Sequence, residues 1–544
     1  MNKKWKYGLS ISVIVLIALS AAAVRERTVT TASASQPPLI MVPGQNGEFQ
    51  ENFSPYSSGL LQGTLGLIYQ PLFYFNPAGT AVPLLGASYA WSNHSTVLTV
   101  QLRPHVKWSN GTPMTAADVV YSFDLLQKYP PLDGSGIWKV IDGVKAVGQN
   151  AVQFNFKTAN TSYAYYILGS TYIVPKSIWQ SISNPTKTLN FHPVGTGPFL
   201  LSSFTAEMYK FVANPQYWGG KPKVNTVEFP AYTGGQSTTL ALLKNKIDWT
   251  GLFIPHINRV YVSHNPQTNK YWFSDFGGAN MLYTNLQDPI LKNLAVRQAI
   301  SLGINRAQVS KLGEYGYEPP ASPTGFELPP AGQSWINPKL PKQLQYNPQK
   351  AVSILEHAGY KRNAQGVFET KTGQPLSFTL DIVSGWADWD QDCAIIAREL
   401  GQIGIQVKVQ QMAFGAYYSA LSTGHFQLAM SWSASGPNPF YMYQSLFTPG
   451  GPGNWDHWNN ASTTQELLAY EHSSNPTKQR QAVYALESAM VHSLPYIPLV
   501  YGAGWNEYST KNFVGWPSAQ NPYAAGSPWV SPSNGIILSH LQPR

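Results

Sequence analysis

The amino-acid sequence predicts a mixed α/β protein with two or three lobes. Its 544 residues exceed the length at which a single hydrophobic core stops growing. Beyond the first 36 residues, short strand-like runs alternate with amphipathic helical stretches, a pattern typical of α/β architectures. Hydrophobic residues make up 43% of the chain and aromatic residues 13%, so we expect a folded interior rather than disorder.

Residues 1–36 are predicted to be an export signal or membrane anchor followed by a linker. Three lysines among the first six residues precede an apolar run over residues 8–24, which is the layout of a secretory signal. Arg25 and Arg27 follow this run, so an uncleaved anchor is the alternative. The single cysteine is Cys393, and no lipid-modified N-terminal cysteine is expected. We therefore predict an exported protein, in the periplasm or on the outer face of the cell membrane.

The charge pattern excludes nucleic acid as a partner. The net charge is +9, but lysine and arginine are scattered and form no run beyond the first six residues. Nucleic-acid binding requires a concentrated basic surface. Charged residues make up only 12% of the chain, about half of the roughly 25% that is typical of soluble proteins. Such a neutral polar surface suits a low external pH, at which carboxylates lose their charge.

The first well-defined elements are a strand and a capped helix. Residues 97–102 alternate as in a half-buried strand. After a turn at residues 110–111, Thr115 is a favourable helix N-cap, and Asp118 three residues later completes a capping box. Further helices are predicted at residues 294–304, 348–358 and 392–403, and an irregular proline-rich loop at residues 318–341.

The sequence carries no complete catalytic or metal-binding motif. Asp388, Asp390, Asp392 and Glu399 have the spacing of a calcium-binding loop, but Cys393 occupies the position that requires glycine. Nucleophile elbows, phosphate-binding loops and zinc-protease motifs do not occur, and the eleven histidines are dispersed. We therefore predict no enzyme activity, no metal and no cofactor. A secreted hydrolase built from dispersed residues is the remote alternative. Cys393 is expected to be buried.

Four ordered blocks of sequence resemble a known family. They are residues 102–123 (LRPHVKWSNGTPMTAADVVYSF), 195–199 (GTGPF) with 214–222 (NPQYWGGKP), 296–306 (VRQAISLGINR) and 346–360 (YNPQKAVSILEHAGY). Together they resemble the family 5 extracellular solute-binding proteins, which serve ABC importers of dipeptides, oligopeptides, nickel and some oligosaccharides.

The resemblance implies a periplasmic-binding-protein-like α/β fold with two lobes, an extra inserted domain and a hinged cleft. Lobe I is expected to comprise residues 37–84, 195–291 and 505–544, the inserted domain residues 85–194, and lobe II residues 292–504. The resemblance also implies a monomer that encloses a small oligomeric solute by lobe closure. The partners would be the permease subunits of an ABC transporter.

A short peptide is the default ligand of the family, but one departure favours another class. Peptide-binding members often carry Trp-x-x-Asp-x-x-Asp-Pro, in which the first Asp holds the ligand's α-ammonium. Here the match begins at Trp432, and Ser435 and Asn438 replace both Asp residues. Neutral groups beside aromatic rings suit a sugar, so a β-linked, cello-oligosaccharide-like ligand is the alternative. A nickel or metal-chelate ligand is the third.

Aromatic residues in predicted loops are the candidate ligand contacts. The chain has 17 Trp and 31 Tyr, and most are expected to pack in cores. Rings on loops of a rigid scaffold more often contact ligands. The ligand-binding residues that we predict are Trp386, Trp432, Ser435, Asn438 and Tyr441.

Overall fold

The computed structural model describes residues 36–44, 47–326, 335–434 and 436–544. Residues 1–35 of the predicted export segment lie outside the described residues, as does the candidate ligand-binding residue Ser435. Part of the loop predicted at residues 318–341 is outside them as well.

Most strands belong to three sheets. The strands of the described residues are Leu39–Val42 (β1), Phe73–Phe75 (β2), Ala81–Pro83 (β3), Gly86–Ser92 (β4), Val97–Leu102 (β5), Ile141–Ala146 (β6), Ala151–Phe156 (β7), Phe199–Phe204 (β8), Met208–Ala213 (β9), Thr226–Pro230 (β10), Trp249–Thr250 (β11), Asn269–Tyr271 (β12), Ser274–Thr284 (β13), Lys361–Arg362 (β14), Phe368–Glu369 (β15), Ser377–Val383 (β16), Gln406–Met412 (β17), Leu428–Trp432 (β18), Tyr496–Gly504 (β19), Glu507–Ser509 (β20), Phe513–Val514 (β21) and Gln542–Pro543 (β22).

Helices connect and cover these sheets. The α-helices of the described residues are Ala116–Lys128 (α1), Ile137–Val140 (α2), Lys176–Trp179 (α3), Gly235–Leu243 (α4), Ile257–Val260 (α5), Leu294–Gly303 (α6), Arg306–Gln308 (α7), Pro348–His357 (α8), Ala387–Gln402 (α9), Phe414–Ser422 (α10), Pro439–Phe447 (α11), Ala461–Glu471 (α12), Pro476–Ser493 (α13) and Ser533–His540 (α14). Within the described ranges, no helix has both the length and the apolar character needed to span a bilayer.

The first sheet joins distant parts of the chain. Its described strands lie in the order β12-β20-β11-β1-β10-β9-β8. Strand β1 runs parallel to β10 and β11, and the other neighbours are antiparallel. The core beside this sheet is aromatic: Tyr209 stacks on Phe229 with ring centroids 4.7 Å apart, and Phe53 packs edge-on against Tyr209. The N-terminal, middle and C-terminal strands thus share one core.

The second sheet has the order β4-β5-β7-β6 and is antiparallel throughout. Helix α1 packs against it, with the rings of Phe123 and Phe154 4.8 Å apart. The predicted strand at residues 97–102 is confirmed as β5, and the predicted capped helix is confirmed as α1. Asp118 accepts hydrogen bonds from the backbone N–H groups of Thr115 at 2.8 Å and Lys176 at 2.9 Å. Asp118 therefore also anchors the first residue of α3.

The third sheet has the order β17-β16-β18-β13-β19, with β16 parallel to both β17 and β18. Strand β13 pairs antiparallel with β18 and β19, so it belongs to this sheet. Strand β13, which the predicted boundaries assign to lobe I, thus pairs with strands of the predicted lobe II, and the lobe boundaries themselves stay a prediction. The sequence block at residues 296–306 covers most of α6, the helix after this strand, and reaches the start of α7.

The predicted helices of this region are largely confirmed. Those at residues 294–304 and 348–358 are α6 and α8. Helix α9 begins at Ala387 rather than at the predicted residue 392. Asp388 and Asp390 lie in its first turn, where the helix dipole favours negative side chains. Cys393 on this helix is buried, as predicted.

Two arginines of the third family block are buried and held by backbone oxygens. Arg297 and Arg306 are each 5% exposed. Their guanidinium groups donate hydrogen bonds of 2.7–3.2 Å to backbone carbonyl groups of Leu291, Lys292, Ser301, Ile304, Ser493, Leu494 and Pro498. These contacts connect the ends of α6 to strand β19 and to the end of α13.

Candidate functional site

Two sheets present the carboxyl ends of their parallel strands to each other. The chain crosses from the first to the third sheet between β12 and β13, and returns between β19 and β20. At the first sheet, Glu507 of β20 pairs with Thr250, the last residue of β11. At the third sheet, Asn280 of β13 pairs with Trp432, the last residue of β18. Both crossings thus link carboxyl-terminal edges, which is where ligands bind in open α/β sheets.

The third sheet carries an aromatic wall at this edge. We define the wall as Trp386, Trp389, Phe414, Tyr418, Trp432 and Trp455. Trp386 follows β16, Phe414 follows β17 and Trp432 ends β18. The rings of Phe414 and Trp432 are parallel within 8°, with centroids 6.4 Å apart, and Trp386 lies 6.1 Å from each of them. Phe414 is 50% exposed and Tyr418 44%. Trp386 and Trp432 are half-buried, whereas Trp389 and Trp455 are buried, so the accessible part of the wall is formed by Phe414, Tyr418, Trp386 and Trp432.

A second group of rings lies at the crossings. Phe253 follows β11, Phe273 lies in the first crossing and Trp505 in the second. Trp505 is 5.6 Å from Phe253 and 4.8 Å from Phe273 by ring centroids. Tyr317 joins them, 5.4 Å from Phe273, and its hydroxyl donates to the carbonyl of Ile254 at 3.2 Å. Aromatic side chains thus occur at the carboxyl-terminal edges of both sheets.

Helix α11 makes a separate contact with the segment between β7 and β8. The hydroxyl of Tyr441 donates to the carbonyl of Ser162 at 2.9 Å, and its ring packs 4.8 Å from Tyr165. Tyr166 donates to Gln444 at 2.7 Å. These hydrogen bonds connect the predicted inserted domain to lobe II.

The carboxyl groups beside the wall are buried. Asp381 of β16 is 4% exposed and Asp388 of α9 is 7% exposed. Burial raises the pKa of each to about 6, so their uncharged forms are favoured in acid. The part of the chain that the structure describes contains no group of three or more His, Cys, Asp or Glu side chains able to hold a metal ion.

The comparisons with known proteins decide the family. The profile of the bacterial extracellular solute-binding proteins, family 5, matches residues 80–454. The chain belongs to this family. Among the curated relatives, a nickel-binding periplasmic protein of Escherichia coli is 26% identical over 457 residues, covering 80% of this chain and 84% of that protein. An oligopeptide-binding protein of Bacillus subtilis is 26% identical over 427 residues, covering 74% of this chain and 75% of that protein.

Solved structures confirm the predicted fold class. A periplasmic oligopeptide-binding protein of Thermotoga maritima, crystallised with mannohexaose, has a TM-score of 0.84 at 24% identity, covering 93% of this chain and 98% of that chain. A Campylobacter jejuni protein in complex with nickel and L-histidine has a TM-score of 0.78 at 21% identity, covering 93% and 99%. The family 5 solute-binding protein therefore has the periplasmic-binding-protein-like fold expected from its four sequence blocks.

The predicted site residues of this family 5 solute-binding protein do not all lie at the aromatic wall. It brings Trp386 and Trp432 together in the aromatic wall. It places Asn438 at the N-terminus of α11, where its side chain accepts from Phe440 N–H at 3.0 Å and donates to Tyr470 at 2.9 Å. The polar atoms of Asn438, like the hydroxyl of Tyr441, are thus engaged within the protein rather than at the wall.

Sequence analysis missed Phe414, Tyr418 and Trp455 as candidate ligand contacts. A local signal exists for the first two, because an aromatic pair at positions i and i+4 directly follows strand β17. Trp455 reaches the wall only through tertiary packing, 5.8 Å from Tyr418 and 6.5 Å from Trp432.

Proposed function

We propose that this protein is the extracytoplasmic substrate-binding component of an ABC importer and that it captures an uncharged oligosaccharide. The observation that supports the ligand class is the aromatic wall, with the parallel rings of Phe414 and Trp432 at the carboxyl-terminal edge of the third sheet. A sugar buries the apolar face of its ring against an aromatic side chain, while its hydroxyls need neutral hydrogen-bonding groups.

The carboxyl chemistry of the site supports an uncharged ligand. A desolvated ammonium group needs an ionised partner. Asp388, which lies between Trp386 and Trp389 in the sequence, is buried, and burial raises its pKa to about 6. The Thermotoga protein of the same fold was crystallised with mannohexaose, so the fold accommodates an oligosaccharide.

A short peptide is the second candidate ligand. The relatives favour it, since they include the oligopeptide-binding protein of Bacillus subtilis and a dipeptide-binding protein of Escherichia coli. A peptide can be held by hydrogen bonds to its backbone while aromatic side chains stack on the wall.

The proposal extends to location and partners. Residues 1–36 direct export and are then cleaved or kept as an anchor. The mature monomer has lobe I, an inserted domain and lobe II, and it delivers its ligand to the permease subunits of the transporter. It does not transform the ligand. Release of chromophore from a chromogenic ester or glycoside by the purified protein would contradict this last point.

The experiment is a thermal-shift screen of the full chain with manno- and cello-oligosaccharides, di- to hexapeptides and nickel–histidine. A ligand that binds only the folded state raises the melting temperature. We expect an oligosaccharide to do so, and Trp432→Ala to weaken its binding at least about fivefold, the effect of losing one stacking partner. Phe191→Ala, which truncates an exposed ring outside the wall, should bind like the wild type. Stabilisation by peptides alone would favour the second candidate.

A further inference from the structure

Four carboxyl groups lie together behind the aromatic wall. Asp388 and Asp392 are one turn apart on α9, and Glu314 and Glu318 lie in the segment after the turn Val309–Gly313. Glu314 and Asp392 are fully buried, while Glu318 and Asp388 are 2% and 7% exposed. We call this group the carboxyl cluster.

The cluster has few hydrogen-bond partners. The carboxyl groups of Glu314 and Asp392 interact with each other, and neither has another hydrogen-bond partner among the described residues. Glu318 accepts from the backbone N–H of Ala503 and from the amide of Asn280, each at 2.7 Å. Buried and unpartnered carboxyl groups are much less costly as neutral acids than as anions.

The other titratable groups near the cluster do not neutralise it. Helix α9 adds the carboxyl of Asp390 and the buried thiol of Cys393. The segment of Glu314 and Glu318 also contains Tyr315 and Tyr317, and the hydroxyl of Tyr317 donates to the carbonyl of Ile254 rather than to the cluster. Strands β13 and β19 contribute only the neutral donors described above. In the described part of the chain, no ion pair between a lysine or arginine and a member of the cluster is seen.

Protonation of the cluster follows from this environment. Burial is the largest cause of the raised pKa of every member, and repulsion between neighbouring carboxylates adds to it. The pKa of Asp388 is raised to about 6, and those of Glu314, Glu318 and Asp392 are raised well above their ordinary values. The uncharged forms of the cluster are therefore favoured in acid, and its members ionise as the pH increases.

The cluster is connected to the wall on both sides. In the sequence, Asp388 lies between Trp386 and Trp389 at the start of α9. The ring centroids of these two tryptophans are 4.8 Å apart. Trp389 lies 6.0 Å from Trp432. On the other side, Glu318 holds Asn280, the residue of β13 that pairs with Trp432 across the sheet. A change of charge in the cluster therefore acts on the elements that position the wall.

We propose that the carboxyl cluster makes ligand binding at the aromatic wall depend on pH. Uncharged in acid, the cluster holds the first turn of α9 and its tryptophans in place. Once several members are ionised, their repulsion displaces this turn and weakens binding. The proposal rests on the proposed function only in taking the wall as the ligand site. It fits a chain with 12% charged residues, whose composition suits an acidic exterior.

The test is a near-ultraviolet circular dichroism titration of the full chain from about pH 4 to 9, because packed tryptophans produce this signal. In the wild type we expect the acid spectrum to persist to about pH 6 and then to decline while the far-ultraviolet spectrum is unchanged. The double variant Glu314→Gln with Asp392→Asn should keep the acid spectrum at least about one pH unit higher, because two ionisable groups are gone. Glu487→Gln removes a buried carboxyl of α13, outside the cluster. The midpoint of its near-ultraviolet titration should equal that of the wild type.

Equal midpoints for the wild type and the double variant, or a wild-type spectrum that is constant over this range, would overturn the proposal. Glu318→Gln, which keeps an acceptor for Ala503, carries the same test if the double variant does not fold. Calorimetry with mannohexaose is the second arm, with at least about tenfold weaker binding expected at about pH 8 than at about pH 5. Absence of mannohexaose binding at both pH values would count against the proposed ligand class. The circular dichroism spectra test the role of the carboxyl cluster independently of the ligand.

Discussion

Glu487 allows a direct test of how a buried carboxyl group shapes the stability of this protein. Its side chain on α13 is fully buried; Oε2 accepts from the N–H of Asn337 at 2.7 Å, and Oε1 has no hydrogen-bond partner among the described residues. Burial raises its pKa from 4.5 to about 8. The native state therefore binds this proton more tightly than the unfolded state does. The resulting stabilisation is complete below about pH 4.5 and is lost as the pH rises to about 8.

The magnitude follows from the size of the pKa change. At about 1.4 kcal/mol per pKa unit, the free energy of unfolding falls by about 5 kcal/mol across this window. With an unfolding entropy of about 2 cal/mol/K per residue over roughly 500 residues, the melting temperature falls by about 5 °C. Glu487→Gln should lack this contribution.

The assay is thermal unfolding of the wild type, Glu487→Gln and Glu356→Gln at about pH 4, 6 and 8. Glu356 is exposed on α8 and serves as the matched control. We expect the melting temperature of Glu487→Gln to gain about 5 °C relative to the wild type between the lowest and highest pH. The melting temperature of Glu356→Gln should change with pH in the same way as that of the wild type. The same dependence of the melting temperature on pH in the wild type and in Glu487→Gln would refute the reasoning.

Two further substitutions test contacts outside the wall. Tyr441→Phe removes the hydrogen bond to Ser162, so the contact between α11 and the predicted inserted domain should weaken by about 1 kcal/mol. Small-angle scattering of the ligand-free variant should then show a larger radius of gyration than that of the wild type. An unchanged radius would contradict this role. Gly197→Ala places a methyl group against the carbonyl of Leu67 and should destabilise the fold by about 3 kcal/mol in thermal unfolding, whereas Gly235→Ala has open space and should not. A Gly197→Ala protein as stable as the wild type would show that the backbone there can shift.

Local sequence signals predicted the elements that depend on neighbouring residues. The cap formed by Thr115 and Asp118 uses two residues three positions apart, and the structure confirms it. The start of α9 was predicted too late because Trp386, which precedes the helix, is not a favoured capping residue. The pairing of β13 with β18 was not predicted, because it joins residues far apart in the sequence.

The candidate site was only partly predictable for the same reason. Trp386 and Trp432 were recognisable as loop aromatics, but their approach to Phe414 follows from the order of three strands in one sheet. Tyr441 was predicted beside Trp432 because it is near in sequence. Its hydroxyl instead bonds to Ser162, 279 positions away, and no local pattern indicates such a partner.

The buried arginines of the third family block make hydrogen bonds whose acceptors do not titrate in acid. An ion pair dissociates when its carboxylate takes up a proton, so it weakens as acidity increases. Arg297 and Arg306 are solvated instead by peptide oxygens, which do not titrate at any pH at which the chain stays folded. The two guanidinium groups therefore keep these hydrogen bonds in an acidic medium as in a neutral one. The helix ends that they connect remain in contact in both media.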